Sequence, residues 1–173
     1  KEIITDACAA PGGKTSFISQ LMGNTGKIRA FDSNMNRLKK FANGMSRLKV
    51  DNVDAEMADM SSHKFTKSGK IIVDAPCTGT GVMSKRADLR WRRTVKNLYE
   101  LVKIQRDILF NVANFVKKNG VLVYSTCSLE PEENWGVIDH FLQLNPNWEV
   151  ESADKYVPKE YVDARCLLFT FPP

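Results

Sequence analysis

Two cysteines lie in segments suited to thiol chemistry. Cys77 is part of Asp74-Ala-Pro-Cys-Thr-Gly-Thr-Gly81, and Cys127 is part of Ser125-Thr-Cys-Ser128. Both segments are polar turns that follow short apolar runs, Ile71–Val73 and Val121–Tyr124. A cysteine in such a turn is partly exposed, and basic neighbours or a helix start stabilise its nucleophilic thiolate. Two such sulfurs are candidates for reactive thiols. Taken singly, either cysteine reads as a small hydrophobic core residue.

A second cluster surrounds Cys8-Ala9-Ala10-Pro11-Gly12-Gly13-Lys14-Thr15. Small residues let the backbone approach a ligand, and a helix start supplies free N–H groups. Gly13-Lys14-Thr15 matches the end of a phosphate-binding loop, and Ile71-Ile72-Val73-Asp74 resembles a strand carrying a magnesium-binding aspartate. The first glycine of that loop is replaced by Cys8, however, and Pro11 removes an N–H from the cradle. Nucleotide hydrolysis on a P-loop is therefore the second reading. The Gly-x-Gly-x-x-Gly fingerprint is absent. Asp32 follows the next apolar run, where a carboxylate can accept from both hydroxyls of a ribose. Loop and carboxylate together fit an adenosine ligand, either S-adenosylmethionine or a dinucleotide.

These residues need strand ends to hold them. Ile3-Ile4, Lys27–Phe31, Ala55–Met57, Lys70–Val73, Val121–Ser125 and Trp148–Val150 read as strands. Lys14–Leu21, Arg37–Leu48, Thr94–Lys117 and Pro131–Leu144 read as helices. Leu38, Phe41, Met45 and Leu48 recur at helical steps, as do Leu98, Val102, Gln105, Ile108, Val112 and Phe115. Asn119-Gly120 suits a left-handed helix cap, and Pro131 suits a helix start with Glu132 and Glu133 near its positive end. The alternation predicts a mostly parallel α/β sheet. Asp6, Asp32, Asp59, Asp74 and Cys127 then share the carboxyl rim, where open α/β sheets bind ligands. Each carboxylate alone reads as a cap or a turn residue.

Composition narrows the classes. The chain has 173 residues, 43% hydrophobic and 26% charged, with a net charge of +5. That is one globular domain, and its basic balance permits a nucleic-acid partner. No apolar run approaches a membrane span. Four cysteines without a Cys-x-x-Cys pair, and only two histidines, argue against a structural zinc site. With no secretory leader in view, reduced thiols and an intracellular location are expected. Cys8 and Cys166 read as packing residues.

Asp6-Ala-Cys-Ala-Ala-Pro-Gly-Gly-Lys-Thr15, Asp74-Ala-Pro-Cys-Thr-Gly-Thr-Gly-Val82 and Tyr124-Ser-Thr-Cys-Ser128 with Pro131-Glu-Glu-Asn134 occur in that order. In this the chain resembles the RNA (cytosine-5)-methyltransferases of the Sun/Fmu (RsmB/NOP) type over nearly its whole length. The resemblance implies a Rossmann-like class I S-adenosylmethionine-dependent methyltransferase fold with helices on both faces of the sheet. It implies Cys127 as the attacking thiolate, Cys77 as the second thiol assisting elimination, and Asp74 as the group holding the cytosine. It places S-adenosylmethionine against Cys8, Ala9, Ala10, Pro11, Gly12, Gly13 and Lys14, with Asp32 on the ribose, Asp59 beside the adenine, and Arg37 and Asp74 also at the cofactor. DNA cytosine methyltransferases share the chemistry but attack with the Pro-Cys cysteine. The resemblance also suggests that Glu132, Glu133 and Asn134 brace the catalytic loop as well as starting a helix. Trp135 replaces a commonly acidic residue, and Thr78 a commoner serine.

The expected partner is RNA, ribosomal RNA ahead of transfer RNA, with no metal and a monomeric chain. The compartment is cytoplasmic in a bacterium or archaeon, and nucleolar or organellar in a eukaryote. Lys85, Arg86, Arg90, Arg92 and Arg93 cluster just after the Cys77 segment and are candidate RNA contacts, with Trp91 expected in the core rather than stacked on a base. Arg37, Lys39, Lys40, Arg47 and Lys49 read as a solvated helix face. A non-catalytic RNA-binding module on the same fold is a further alternative. Relative to the family pattern, residues 1–173 are expected to be a catalytic domain lacking upstream RNA-binding portions and a final strand.

Overall fold

The computed structural model describes residues 2–165 and 168. Cys166 lies outside the described residues. Five strands, β1 (Ile3–Asp6), β2 (Lys27–Asp32), β3 (Val53–Met57), β4 (Ser68–Asp74) and β5 (Val116–Ser125), form one parallel sheet. Its order is β3-β2-β1-β4-β5. The chain leaves β1 in one direction to reach β2 and returns to β1's other side as β4. The crevice between the carboxyl ends of β1 and β4 is thus the switch point where such sheets bind ligands.

Helices cover both faces. On one, α2 (Met35–Arg47) sets Phe41 and Met45 against Ala9, Ala10 and Ala30. On the other, α4 (Val95–Ala113) sets Ile108 and Val112 against Ala7, Phe31, Ile71 and Val73. The adjacent residues Ala30 and Phe31 serve opposite cores because strand side chains alternate. α1 (Gly13–Leu21) joins β1 to β2, and α5 (Trp135–Leu144) packs Val137 and Phe141 on Val102 and Leu109 of α4. Asn34 caps α2 by accepting from Arg37 N at 3.1 Å, and Thr94 and Asn97 cap α4 reciprocally.

Five expectations are corrected. The long helix ends at Ala113, not Lys117, because Val116 turns inward and pairs with Ser68. Asn119-Gly120 therefore lies inside β5, at an irregularity where the partner register shifts between Ser68 and Lys70, rather than capping a helix. Pro131–Leu144 is a short 3-10 turn followed by α5, broken at Asn134, whose φ and ψ of −104° and −101° are not helical. Trp148–Val150 is not a strand. Trp148 closes a turn on Asn145 O and stacks edge-on against Phe141 at 5.5 Å. A further short helix, α3 (Leu89–Arg92), buries Leu89 and leaves Trp91 90% exposed, so Trp91 is not a core residue.

Candidate active site

The Cys8–Lys14 loop springs from β1 and is held by carboxylates below it. Asp6, 1% exposed, accepts Thr15 Oγ1 at 2.7 Å and Cys8 N at 3.4 Å. Burial outweighs these bonds and pushes its carboxyl up to about 6. Asp32, 3% exposed, accepts Ala10 N at 3.2 Å and Asn34 N at 2.9 Å. Arg37 pairs with Asp32 at 3.4 Å and donates to Ala10 O. Gly12, at φ 110°, turns the chain into α1 without a side-chain cap. A Cβ there would meet Met45 Cε at 2.8 Å and Phe41 Cδ2 at 2.9 Å. Gly13 by contrast faces open space. The exposed turn at Pro11 and Gly13 and the uncapped helix start fit an elongated adenosine ligand with a charged end. Asp32 departs from the expectation that it is open to both hydroxyls of a ribose, because its two oxygens are buried and already accept from Asn34 N and Ala10 N. Burial, with Asp6 and Asp32 nearby, pushes the Cys8 thiol up to about 12, so Cys8 is a neutral packing group. Asp59 lies exposed on the same rim, its carboxyl lowered by bonds from Ser61 Oγ at 2.7 Å and Ser61 N at 2.9 Å.

Lys14 joins this half of the rim to the other. Its Nζ lies 2.6 Å from Asp74 Oδ2, and Ser125 Oγ donates to Asp74 Oδ1 at 2.8 Å. Beyond Asp74 the two sulfurs meet. Cys77 Sγ and Cys127 Sγ are 3.0 Å apart, and Cys127 N approaches Cys77 Sγ at 3.2 Å. Cys127 is exposed and Cys77 half-buried. The proton accordingly stays on Cys77, whose hydrogen bond to Cys127 and burial push its own thiol up. That same bond brings Cys127 down to about 7, with Lys14 adding a smaller attraction. A substantial share of Cys127 is then thiolate at neutral pH.

Both cysteine loops rest on a side-chain network. Glu133, fully buried, accepts Thr78 N at 2.9 Å, the Thr78 hydroxyl, and Gln105 Nε2 at 2.8 Å. Thr78 Oγ1 also meets Ser128 Oγ at 3.1 Å. Arg93 donates to Thr78 O at 2.8 Å and Cys77 O at 3.4 Å. Lys85, Arg86, Arg90 and Arg92 are exposed around α3, and Arg92 pairs with Asp88 at 3.4 Å.

The structure thus brings together Cys77, Cys127, Asp74 and Lys14, and puts Cys8–Gly13, Asp32, Arg37 and Asp59 along the adjoining rim. Sequence reasoning misses the roles of Asp6 and Gln105. The legible signal for Gln105 is a polar residue on the apolar face of the longest helix. Among the described residues no group of three or more His, Cys, Asp or Glu could hold a metal ion. No helix among them is long and apolar enough to cross a membrane.

A parallel sheet of this order, helices on both faces and a glycine loop at the switch point define a Rossmann-like domain of the methyltransferase type. Residues 1–165 match the model of the family described as 16S rRNA methyltransferase RsmB/F, and the chain belongs to that family. It is 39% identical over 163 residues to a probable ribosomal RNA small subunit methyltransferase B of Synechocystis, covering 92% of this chain and 36% of that protein. It is 39% identical over 155 residues to a tRNA (cytosine(72)-C(5))-methyltransferase of Pyrococcus horikoshii, covering 87% and 39%. Among solved structures, NSun6 from Pyrococcus horikoshii with SFG is 38% identical with a TM-score of 0.80, covering 88% of this chain and 39% of that one. The chain spans little more than a third of the length of these relatives.

Proposed function

We propose that this chain methylates carbon 5 of cytosine in RNA, using S-adenosylmethionine, through a covalent adduct on Cys127. The observation that carries this reading is the 3.0 Å thiol pair on the rim that also bears the Pro-Gly-Gly loop. Family membership and the RNA cytosine methyltransferases among its relatives support it.

The chemistry follows from the residues. Carbon 5 of cytosine is a weak nucleophile. The Cys127 thiolate adds at carbon 6 and makes carbon 5 enamine-like. Asp74 accepts from the amino edge of a cytosine turned out of its strand and steadies the adduct, exchanging Lys14 for the base. Bound S-adenosylmethionine supplies an electrophilic methyl carbon. Cys8–Lys14, Arg37 and Asp59 line its place, and Asp32 lies beneath Arg37 at the ribose end. Elimination passes the carbon 5 proton to solvent water, the electron pair re-forms the carbon 5–carbon 6 double bond, and Cys127 leaves as thiolate, its sulfur steadied by the hydrogen bond from Cys77.

RNA is held beside the thiols by Lys85, Arg86, Arg90 and Arg92, and Arg93 braces the Cys77 loop from the same side. The exposure of Trp91 among these cations favours a base-stacking role. Ribosomal RNA is the favoured substrate and transfer RNA the second, as the names of the relatives divide. The mechanism needs reduced thiols, hence an intracellular site of action.

Methyl transfer from radiolabelled S-adenosylmethionine to RNA tests the reading. Cys127→Ala lowers it by roughly 10³-fold or more. Cys77→Ala accumulates an RNA adduct that survives denaturing electrophoresis. Retained activity in Cys127→Ala overturns the cysteine roles, and nucleotide hydrolysis without methyl transfer overturns the function.

A further inference from the structure

Glu133 is a carboxylate buried with no ion pair reaching it among the described residues. Such burial is costly unless hydrogen bonds compensate, and an apolar residue would fill the space without that cost. Its bonds all converge on one place. Gln105 Nε2 donates both to Glu133 Oε1 and to Pro76 O, each at 2.8 Å. Thr78 presents its N–H and its hydroxyl to the same carboxylate. Pro76 and Thr78 are the two neighbours of Cys77, so one Glu133–Gln105 pair grips that cysteine on both flanks. The other loop is tied to the same anchor. Thr78 Oγ1 and Thr80 Oγ1 reach Ser128 Oγ at 3.1 and 3.2 Å, and Gly81 N donates to Cys127 O at 3.0 Å. Glu133 is fixed in turn through its carbonyl, which accepts Tyr124 Oη at 2.8 Å.

We propose that Glu133 is a positioning residue that holds the Cys77 thiol against Cys127, and so sets how readily Cys127 reacts. Glu133 touches neither sulfur and acts through Thr78 and Gln105. This rests on the reading of Cys127 as the attacking thiol, but its test needs neither RNA nor cofactor.

The test is the pH profile of Cys127 alkylation by iodoacetamide, read by peptide mass spectrometry on variants that still melt cooperatively. Glu133→Gln keeps the shape but loses one acceptor oxygen. Thr78→Val removes the hydroxyl at nearly constant volume and carries the test if Glu133→Gln does not fold. Both move the midpoint upward, and a midpoint higher by about one on the pH scale leaves about tenfold less reactive Cys127 at about pH 6. Thr78→Ser returns the hydroxyl and restores the profile. In a Cys77→Ala background, Glu133→Gln moves the midpoint no further. A folded Glu133→Gln or Thr78→Val protein with an unmoved midpoint overturns the proposal, as does an additive displacement in the Cys77→Ala background. Failure of methyl transfer with the alkylation result intact would instead count against the enzymatic reading.

Discussion

The two halves of the rim are held in place by different means. Around Asp6 and Asp32 the loop is fixed mostly through main-chain amides, with Cys8 N, Ala10 N and Asn34 N directed at buried carboxylates, and Thr15 and Arg37 add the side-chain bonds. Around the sulfurs the fixing is done by side chains from distant parts of the sequence: Thr78, Arg93, Gln105, Ser128 and Glu133. A ligand surface built from backbone must be shaped once, by folding. A reacting pair must keep two atoms at a set separation while one gains and loses a proton. Substitutions in the first half should therefore register in stability, and those in the second in thiol reactivity.

Asp32→Ala tests the first half most severely. It strands the amides of Ala10 and Asn34 and takes the carboxylate from Arg37, which keeps its bond to Ala10 O, and should cost about 4 kcal/mol in denaturant unfolding. Little loss would mean that the loop is held elsewhere. Asp6 gives a pH signature. Its folded value of about 6 lies above the ordinary 3.8, so the fold favours the neutral carboxyl. The contribution is fully present below about pH 4 and is lost as pH rises through 6, amounting to about 3 kcal/mol. Asp6→Asn, neutral throughout, removes this decline. Parallel stability profiles for the two proteins would contradict the assignment.

On the sulfur side, Cys77→Ala returns Cys127 from about 7 toward 9.0, leaving about 100-fold less thiolate at about pH 6. Alkylation rates measure this, and the melting temperature should barely move. A large fall in melting temperature would erase the contrast between the halves. The smallest effect expected is Gly12→Ala, at roughly 2 kcal/mol, from the φ of 110° and the crowding of Phe41 and Met45. Thermal unfolding reads it, and S-adenosylmethionine titration should weaken in parallel.

This contrast also explains what the sequence made legible. The glycine loop is a contiguous run, so its place between strand and helix could be read directly. The two cysteines lie 50 positions apart, yet each follows a recognisable strand, and parallel strands bring such turns to one edge. From its own neighbours Glu133 reads as the start of a helix, and only the family resemblance adds that it braces the catalytic loop; its partners are not legible, because its bonds to Thr78 span 55 positions and leave no local pattern. Local signals misled where tertiary packing prevailed. Asn119-Gly120 has the chemistry of a cap, but the pairing of Val116 with Ser68 draws the segment into β5. Trp91 lies in a mixed basic and apolar stretch, and Leu89, not Trp91, supplies the buried anchor of α3.

The contact between Lys14 and Asp74 is a latch of low strength. Its side chains are 52% and 35% exposed, and ion pairs so open to solvent hold by at most about 1 kcal/mol. Thermal motion at the energy of a few collisions undoes it, and salt loosens it further. The oxygen it covers is therefore never committed: any arriving hydrogen-bond donor competes for it on nearly equal terms, and the displaced ammonium remains tethered at the rim.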